Sequence, residues 1–410
     1  MRIPLALTIV ALFLAGCLES GADVKSTTSD LKTMTEPIVR LGESAATGTE
    51  GLLFNGTGAK KIPFELELPD GYWSTHKGNV EVTLRWHFVG GARYRFDLLD
   101  AAGKVVGMSR GGSYAAMLLV PGLKSGGYVI DVKSTGQNQP FEGVVQVDTL
   151  ATADPVREMM PNLAALAPDQ LSVSWIAPLP SGVPGKGCWP TEMVEKQHLR
   201  CLRVSSAVGN AGEGALEIHM SQLEGVKAAA GLGRFTQRIY DTGGKFRDEP
   251  VGIGQFHPTH GHFHYNGLAQ FTVYKYDAEK DVRGDKVAQS RKNGFCLLDM
   301  GMIRLGIPGT TYSHHVETAC LVPSERTNTW IVGMSPSWYD LYGSFLDDQS
   351  VNINGVPDGV YELVYSVNAE KTLKESSLDD NDASTVFRLT GDNVKVLKRI
   401  EDGKHLAPSQ

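Results

Sequence analysis

From about residue 46 the chain alternates apolar and polar positions with a period of two. Phe64, Leu66 and Leu68 alternate with Glu65 and Glu67, and Val80, Val82, Leu84, Trp86 and Phe88 alternate with Glu81, Thr83, Arg85 and His87. Neighbouring side chains of a strand point to opposite faces, so each run predicts a strand with one face in a core and one in water. Arg93 to Leu98 and Lys104 to Met108 flank Asp100-Ala-Ala-Gly103, which reads as a hairpin. Gly127 to Val132 and Val144 to Val147 complete the expectation of a small antiparallel β-sandwich over 46–150. It resembles, in rhythm alone, accessory sandwiches appended to secreted prokaryotic enzymes, and reads as a spacer or binding module.

Beyond it, a short helix is expected near Pro155–Met160, then Pro-rich irregular chain to about 190. Strands are expected at Leu202–Ser206, Arg234–Tyr240, Leu268–Tyr276, Ser350–Ile353, Val360–Val367, Thr385–Leu389 and Val394–Leu397. A helix over Met220–Ala230 is the remaining helical candidate. The predicted fold is therefore mostly β, with a second β-rich domain with long loops over 151–400 and a tail at 401–410.

Composition narrows the function classes. Hydrophobic residues at 41% and charged residues at 21% exclude disorder as the main state. A net charge of −7 leaves no basic footprint, so nucleic acid is not an expected partner. Met1-Arg2 followed by the apolar run Ile3–Ala15 is too short to span a bilayer and suits a signal peptide over 1–16. Leu14-Ala15-Gly16-Cys17 resembles a bacterial lipobox, which implies lipidation of Cys17, a tether over 17–45, and membrane contact through the lipid anchor only. The expected location is the cell envelope. By resemblance to Gram-negative sorting, Leu18 after the Cys points to the outer membrane or cell surface. Export leaves Cys188, Cys201, Cys296 and Cys320, an even number that favours disulfides in an oxidising compartment. Four cysteines allow three connectivities, of which Cys188–Cys201 with Cys296–Cys320 is the simplest.

Four histidines fall within eight residues, at His257, His260, His262 and His264. In a strand, His260, His262 and His264 share one face and offer three imidazoles to one metal, which suits copper, zinc, iron or nickel. Packing does not explain such a set, because imidazole fills a core poorly. His257 falls off this register and reads as a neighbour of the ligands. Asp379-Asp380-Asn381-Asp382 is a candidate calcium-binding run, with a solvated acidic turn as the simpler alternative.

His257-x-x-His-x-His-x-His264 is where the chain resembles the lysyl oxidase family. Lys292-Asn-Gly-Phe-Cys-Leu-Leu-Asp299 is similar to the family's Lys-x-x-Phe-Cys-Leu-x-Asp segment. Gly333-Met-Ser-Pro-Ser-Trp-Tyr-Asp-Leu-Tyr342 is similar to its Gly-Leu-Ser-Pro-Gly-x-x-Asp-x-Tyr segment. Gln349 to Ile353, Asp358 to Leu363, Asn368, Glu375 and Asn381 follow its final strands in order. The resemblance covers roughly 155–400. It implies a copper amine oxidase whose second cofactor, lysine tyrosylquinone, is made from its own side chains. His260, His262 and His264 match the Cu(II) ligands, Lys292 the quinone-forming lysine and Tyr342 the quinone-forming tyrosine. The implied partners are molecular oxygen and a primary-amine or protein-lysine substrate. His257, Asp299 and His314 are the candidates for the base. Thr259 stands where the animal enzymes carry a Cys inside the histidine motif. The competing function is a non-catalytic copper-binding lipoprotein of the surface or periplasm.

Overall fold

Alternation in the sequence becomes paired strands in the structure. The computed structural model describes residues 38–40, 51–86, 92–111, 113–176, 199–222, 232–257, 262–290, 293–303, 305, 316, 318, 329–346 and 349–400. The signal peptide, Cys17, Cys188, His260, Lys292, His314, Cys320 and the tail lie outside them. So does the expected tether over 17–45 except residues 38–40, which are not tether but a strand of the sandwich, paired with residues 65–67.

Strands β1 (Ile38–Arg40), β2 (Leu52–Thr57), β3 (Lys60–Glu67), β4 (His76–Trp86), β5 (Arg93–Asp100), β6 (Val105–Met108), β7 (Arg110–Gly111), β8 (Ala115–Val120), β9 (Gly126–Thr135) and β10 (Pro140–Ala151) form two sheets. The first runs β1-β3-β9-β5-β6 and the second β2-β10-β4-β8-β7. Leu66, Val82, Leu84, Phe96, Leu98 and Ile130 fill the core between them. The expected hairpin is present, with Asp100 Oδ1 accepting the N–H groups of Ala102 and Lys104.

After β11 (Glu158–Met159), β12 (Leu163–Ile176), β13 (Leu199–Asn210), β14 (Leu216–Gln222), β15 (Leu232–Asp241), β16 (Phe246–His257), β17 (His262–Asp277), β18 (Val282–Gln289), β19 (Asn293–Phe295) and β20 (Gly301–Met302) come β21 (Trp330–Met334), β22 (Trp338–Tyr342), β23 (Ser350–Asn352), β24 (Gly359–Val367), β25 (Asp382–Thr390) and β26 (Asn393–Ile400). Among the described residues they make a large sheet ordered β21-β14-β15-β16-β17-β24-β25-β26, with β11, β18 and β19 attached, and a smaller one ordered β12-β13-β22-β20 with β23 on β13. A second core forms among them, with Leu202, Leu216, Phe235, Phe271, Leu363 and Phe387 at its centre. Residues 37–410 form one compact unit, and among the described residues no helix is long and apolar enough to cross a membrane.

The mostly β class is as the pattern predicts, and three local expectations are corrected. Residues 158–159 are not helical but pair with Tyr240 and Asp241 on β15. Met220–Gln222 ends β14, and 223–230 lie outside the described residues. The expected irregular chain after 160 is the long strand β12, whose Pro168 sits in a break of register between Leu166 and Asp169. An edge position with a bulge is where a strand tolerates Pro.

A fourth correction concerns β4. Glu81 and Thr83 were expected in water, yet both are buried. Ala115 and Met117 on β8, beside them, pack on Met302 and Trp338. Burial pushes the Glu81 carboxyl up to about 8, with Gln146 Nε2 donating to it at 2.7 Å.

Candidate copper and quinone site

The site is best built from Tyr342, the described member of the expected pair. It closes β22, which lies between β13 and β20 and pairs Tyr342 with Ser206. Its hydroxyl donates to the Cys296 carbonyl at 2.8 Å. Burial, with the neighbouring Asp340, holds its phenol well above the ordinary tyrosine range. Tyr342 is therefore a fixed, neutral phenol, not a surface anchor. Tyr339 lies in the same strand but packs on Gly301, where an added Cβ would fall 2.5 Å from its ring.

Three of the four sequence motifs meet through the backbone around this tyrosine. Phe295, which precedes Cys296, pairs with Tyr265, the residue after His264. Gly333 donates its N–H to Leu297 O at 3.0 Å. A side chain at 333 would place its Cβ 1.9 Å from Leu216 O, so only Gly allows this approach. Asp340 accepts the Leu298 N–H at 3.3 Å. Asp299 accepts both the N–H and the hydroxyl of Ser335, at 2.8 and 2.6 Å. The segment after Lys292 is thus sewn to the strand that carries Tyr342.

For His262 and His264 the described feature is backbone register: His262 lies opposite His257 and His264 opposite Gln255. Both are on β17, the strand that β19 joins. Lys292 immediately precedes β19, four residues from the carbonyl that holds Tyr342. The donor types fit the implied group, since imidazoles suit Cu(II). Among the described residues no cluster of three His, Cys, Asp or Glu side chains forms a metal site, and His260 lies outside them.

Two carboxylates behind β22 were not singled out as a pair by sequence. Asp340 is fully buried and Asp299 partly so, and desolvation raises both above the usual carboxylate range. Asp299, a candidate base, is occupied by Ser335 and by Arg110 at 3.2 Å. Ser337 stands where the quoted family segment has Gly, and its φ is 72°. Its left-handed backbone lets its N–H reach Asn210 O at 2.8 Å and its carbonyl accept from Ile303 at 2.9 Å. The expected Gly is a conformational requirement that Ser meets under strain.

The acidic run 379–382 is only half solvated. Asp380 and Asn381 are buried, while Asp379 and Asp382 are exposed. Asn162 donates to Asp380 at 2.7 Å, and Asn381 and Asn368 donate to Glu375 at 2.7 and 2.5 Å. Asn162 Oδ1 and Asn381 Oδ1 are buried acceptors with no donor, the condition a hard cation would relieve. Cys201 and Cys296 are each disulfide-bonded; the expected partners Cys188 and Cys320 lie outside the described residues.

Comparison with known proteins agrees with the motifs. Residues 188–398 match the lysyl oxidase family profile. Protein-lysine 6-oxidase of Homo sapiens is 30% identical over 161 residues, covering 38% of this chain and 34% of that protein. Lysyl oxidase homolog 1 of Homo sapiens and of Bos taurus are each 28% identical over 160 residues, or 38% of this chain, covering 25% and 24% of those proteins. The chain thus spans about a quarter to a third of the length of these relatives. With a profile match over more than half its length and three of its four ordered motifs joined around Tyr342, the chain belongs to the lysyl oxidase family.

Proposed function

We propose that this chain is a copper- and quinone-dependent amine oxidase. A primary amine, peptidyl lysine among them, reacts with oxygen and water to give an aldehyde, ammonia and hydrogen peroxide. The observation that carries the reading is the seating of Tyr342 against Cys296 O, four residues from Lys292 and one short strand from His264. His260, His262 and His264 would hold Cu(II). With copper bound and Lys292 joined to Tyr342, the quinone would supply the electrophilic carbonyl and the oxidising power that side chains lack.

The chain's own residues give that chemistry a fixed setting. β22 is held on both sides by paired strands, so the Tyr342 ring is presented at one position. Its hydroxyl hydrogen bond fixes the ring's tilt, and the half-buried ring packs against the surrounding core. Asp299, tied to Ser335 and Arg110, serves position and not proton abstraction. Asn162, Glu375, Asp380 and Asn381 would hold a hard cation such as calcium, bracing the start of β12 against the end of β24. The body is proposed as an exported lipoprotein, tethered through Cys17 at the cell envelope, with the sandwich at 46–150 preceding the copper domain at 151–400.

Peroxide release from a lysine-containing peptide tests the reading. Lys292→Ala should abolish turnover with copper retained, and His262→Ala should lose both. Undiminished turnover in Lys292→Ala would sink the quinone assignment. Copper without turnover in the parent chain would favour the copper-binding alternative.

A further inference from the structure

Arg110 belongs to the sandwich, yet its guanidinium meets Asp299 at 3.2 Å and lies 5.9 Å over the Trp338 ring. Four residues on, the Tyr114 N–H donates to Met300 O at 2.8 Å, and the Tyr114 ring stacks on Tyr339 with centroids 6.4 Å apart. Met300 in turn donates to Tyr339 O at 3.1 Å. Arg85 on β4 donates to Ile303 O at 2.8 Å. The turn between β7 and β8 therefore continues the open edge of the smaller sheet at β20, one strand from Tyr342. A spacer or a module tethered for independent binding would need none of these contacts.

The chemistry of the contact is as pointed as its place. Asp340 on β22 is fully buried, Asp299 is partly buried, and the charge of Asp299 makes ionising Asp340 harder. A cation beside Asp299 offsets that repulsion and the lost hydration. As a carboxylate, Asp299 accepts both bonds from Ser335, which opens the turn into β22. The Ser335 hydroxyl in turn accepts the Val316 N–H at 3.0 Å. Arg110 thus stands at the head of a chain of bonds that sets where β22 begins.

We propose that the N-terminal sandwich is a working part of the oxidase site, with Arg110 as a positioning residue that acts through Asp299 and Ser335 on the strand carrying Tyr342. The proposal rests on the amine oxidase reading for its catalytic consequence, and on geometry alone for its structural one.

The test uses the full chain with Arg110→Ala, Arg110→Lys and the exposed control Arg95→Ala. Two quantities are read: hydrogen exchange in peptides spanning 297–303 and 331–342, and phenylhydrazine-reactive quinone per copper-loaded, folded chain. Arg110→Ala should speed exchange in both peptides about tenfold or more and lower the adduct severalfold at full copper. Arg110→Lys should recover part of each loss, and Arg95→Ala should change neither. Unchanged exchange in Arg110→Ala overturns the proposal, as does an unchanged adduct per folded chain in a parent that makes one. A parent with no adduct sinks the oxidase reading, and the exchange comparison still decides the role of Arg110. Should Arg110→Ala fail to fold, Arg110→Gln is read with and without Asp299→Asn. A linked pair predicts that Arg110→Gln adds nothing once the charge at 299 is gone; additive losses overturn the link.

Discussion

The two sheets of the N-terminal sandwich have the same number of described strands but different burial. In β3 of the first sheet, Ile62, Phe64 and Leu66 are buried while Lys61, Pro63, Glu65 and Glu67 are exposed. In β4 of the second, five successive residues from Val80 to Leu84 are buried, polar ones included. The first sheet has one covered face; the second has two, because its outer face lies against Met302 and Trp338. A period-two pattern reports how many faces a strand hides only when the second face meets water. The sheet that breaks the pattern is the one that touches the candidate site.

Substitutions on the two outer faces should separate them sharply. The largest effect is expected from Met117→Glu, which buries an unpaired charge where Met117 packs on Trp338; the loss should be about 3 kcal/mol or more in urea unfolding. Next comes the pH dependence of Glu81, which holds its proton to about 8 in the folded chain against 4.5 when unfolded. The folded state binds more protons in that window, so stability should fall as pH rises through it, by at most about 1.4 kcal/mol per unit. Glu81→Gln should flatten that slope; an unchanged slope would mean Glu81 is not its source. Thr83 Oγ1 is buried without a hydrogen-bond partner. Thr83→Val should therefore stabilise by about 1 kcal/mol, read as a raised unfolding midpoint. On the first sheet, Lys61→Ala should change stability by less than about 0.5 kcal/mol. A large loss there would erase the distinction between the faces.

A smaller comparison lies within the smaller sheet. Ser337 holds φ at 72° on the turn into β22. Ser337→Gly should stabilise by about 0.5 to 1 kcal/mol, because relief of left-handed strain exceeds the added freedom of the unfolded chain. A loss on thermal melting would show that the Ser337 side chain, buried in this turn, contributes packing that outweighs the strain.

Much of the fold was legible where one face meets water. β3, β5 and β15 stand out as alternating runs in the sequence. β21 does not, because four of its five residues are buried on both faces, and β12 is disguised by Pro168 at its bulge. The candidate site was legible through residue order. Lys292, Asp299, Gly333 and Tyr342 fall in segments whose spacing matches the family, and Asp299–Ser335 joins two of them. Arg110 was not legible, since it lies 189 residues from Asp299 in a domain with no motif of its own. The same holds for the pairing of Asn162 with Asp380 across 218 residues.

The central claim is that Tyr342 and Lys292 form a redox cofactor beside bound copper. The most direct measurement is the visible spectrum of the purified, copper-loaded chain before and after phenylhydrazine, with copper counted in parallel and Tyr342→Phe as the comparison. The account predicts a quinone band that shifts to a hydrazone adduct in the parent chain and is absent from Tyr342→Phe at equal copper. Copper bound in full with neither band nor adduct, or an adduct that survives Tyr342→Phe, would contradict it.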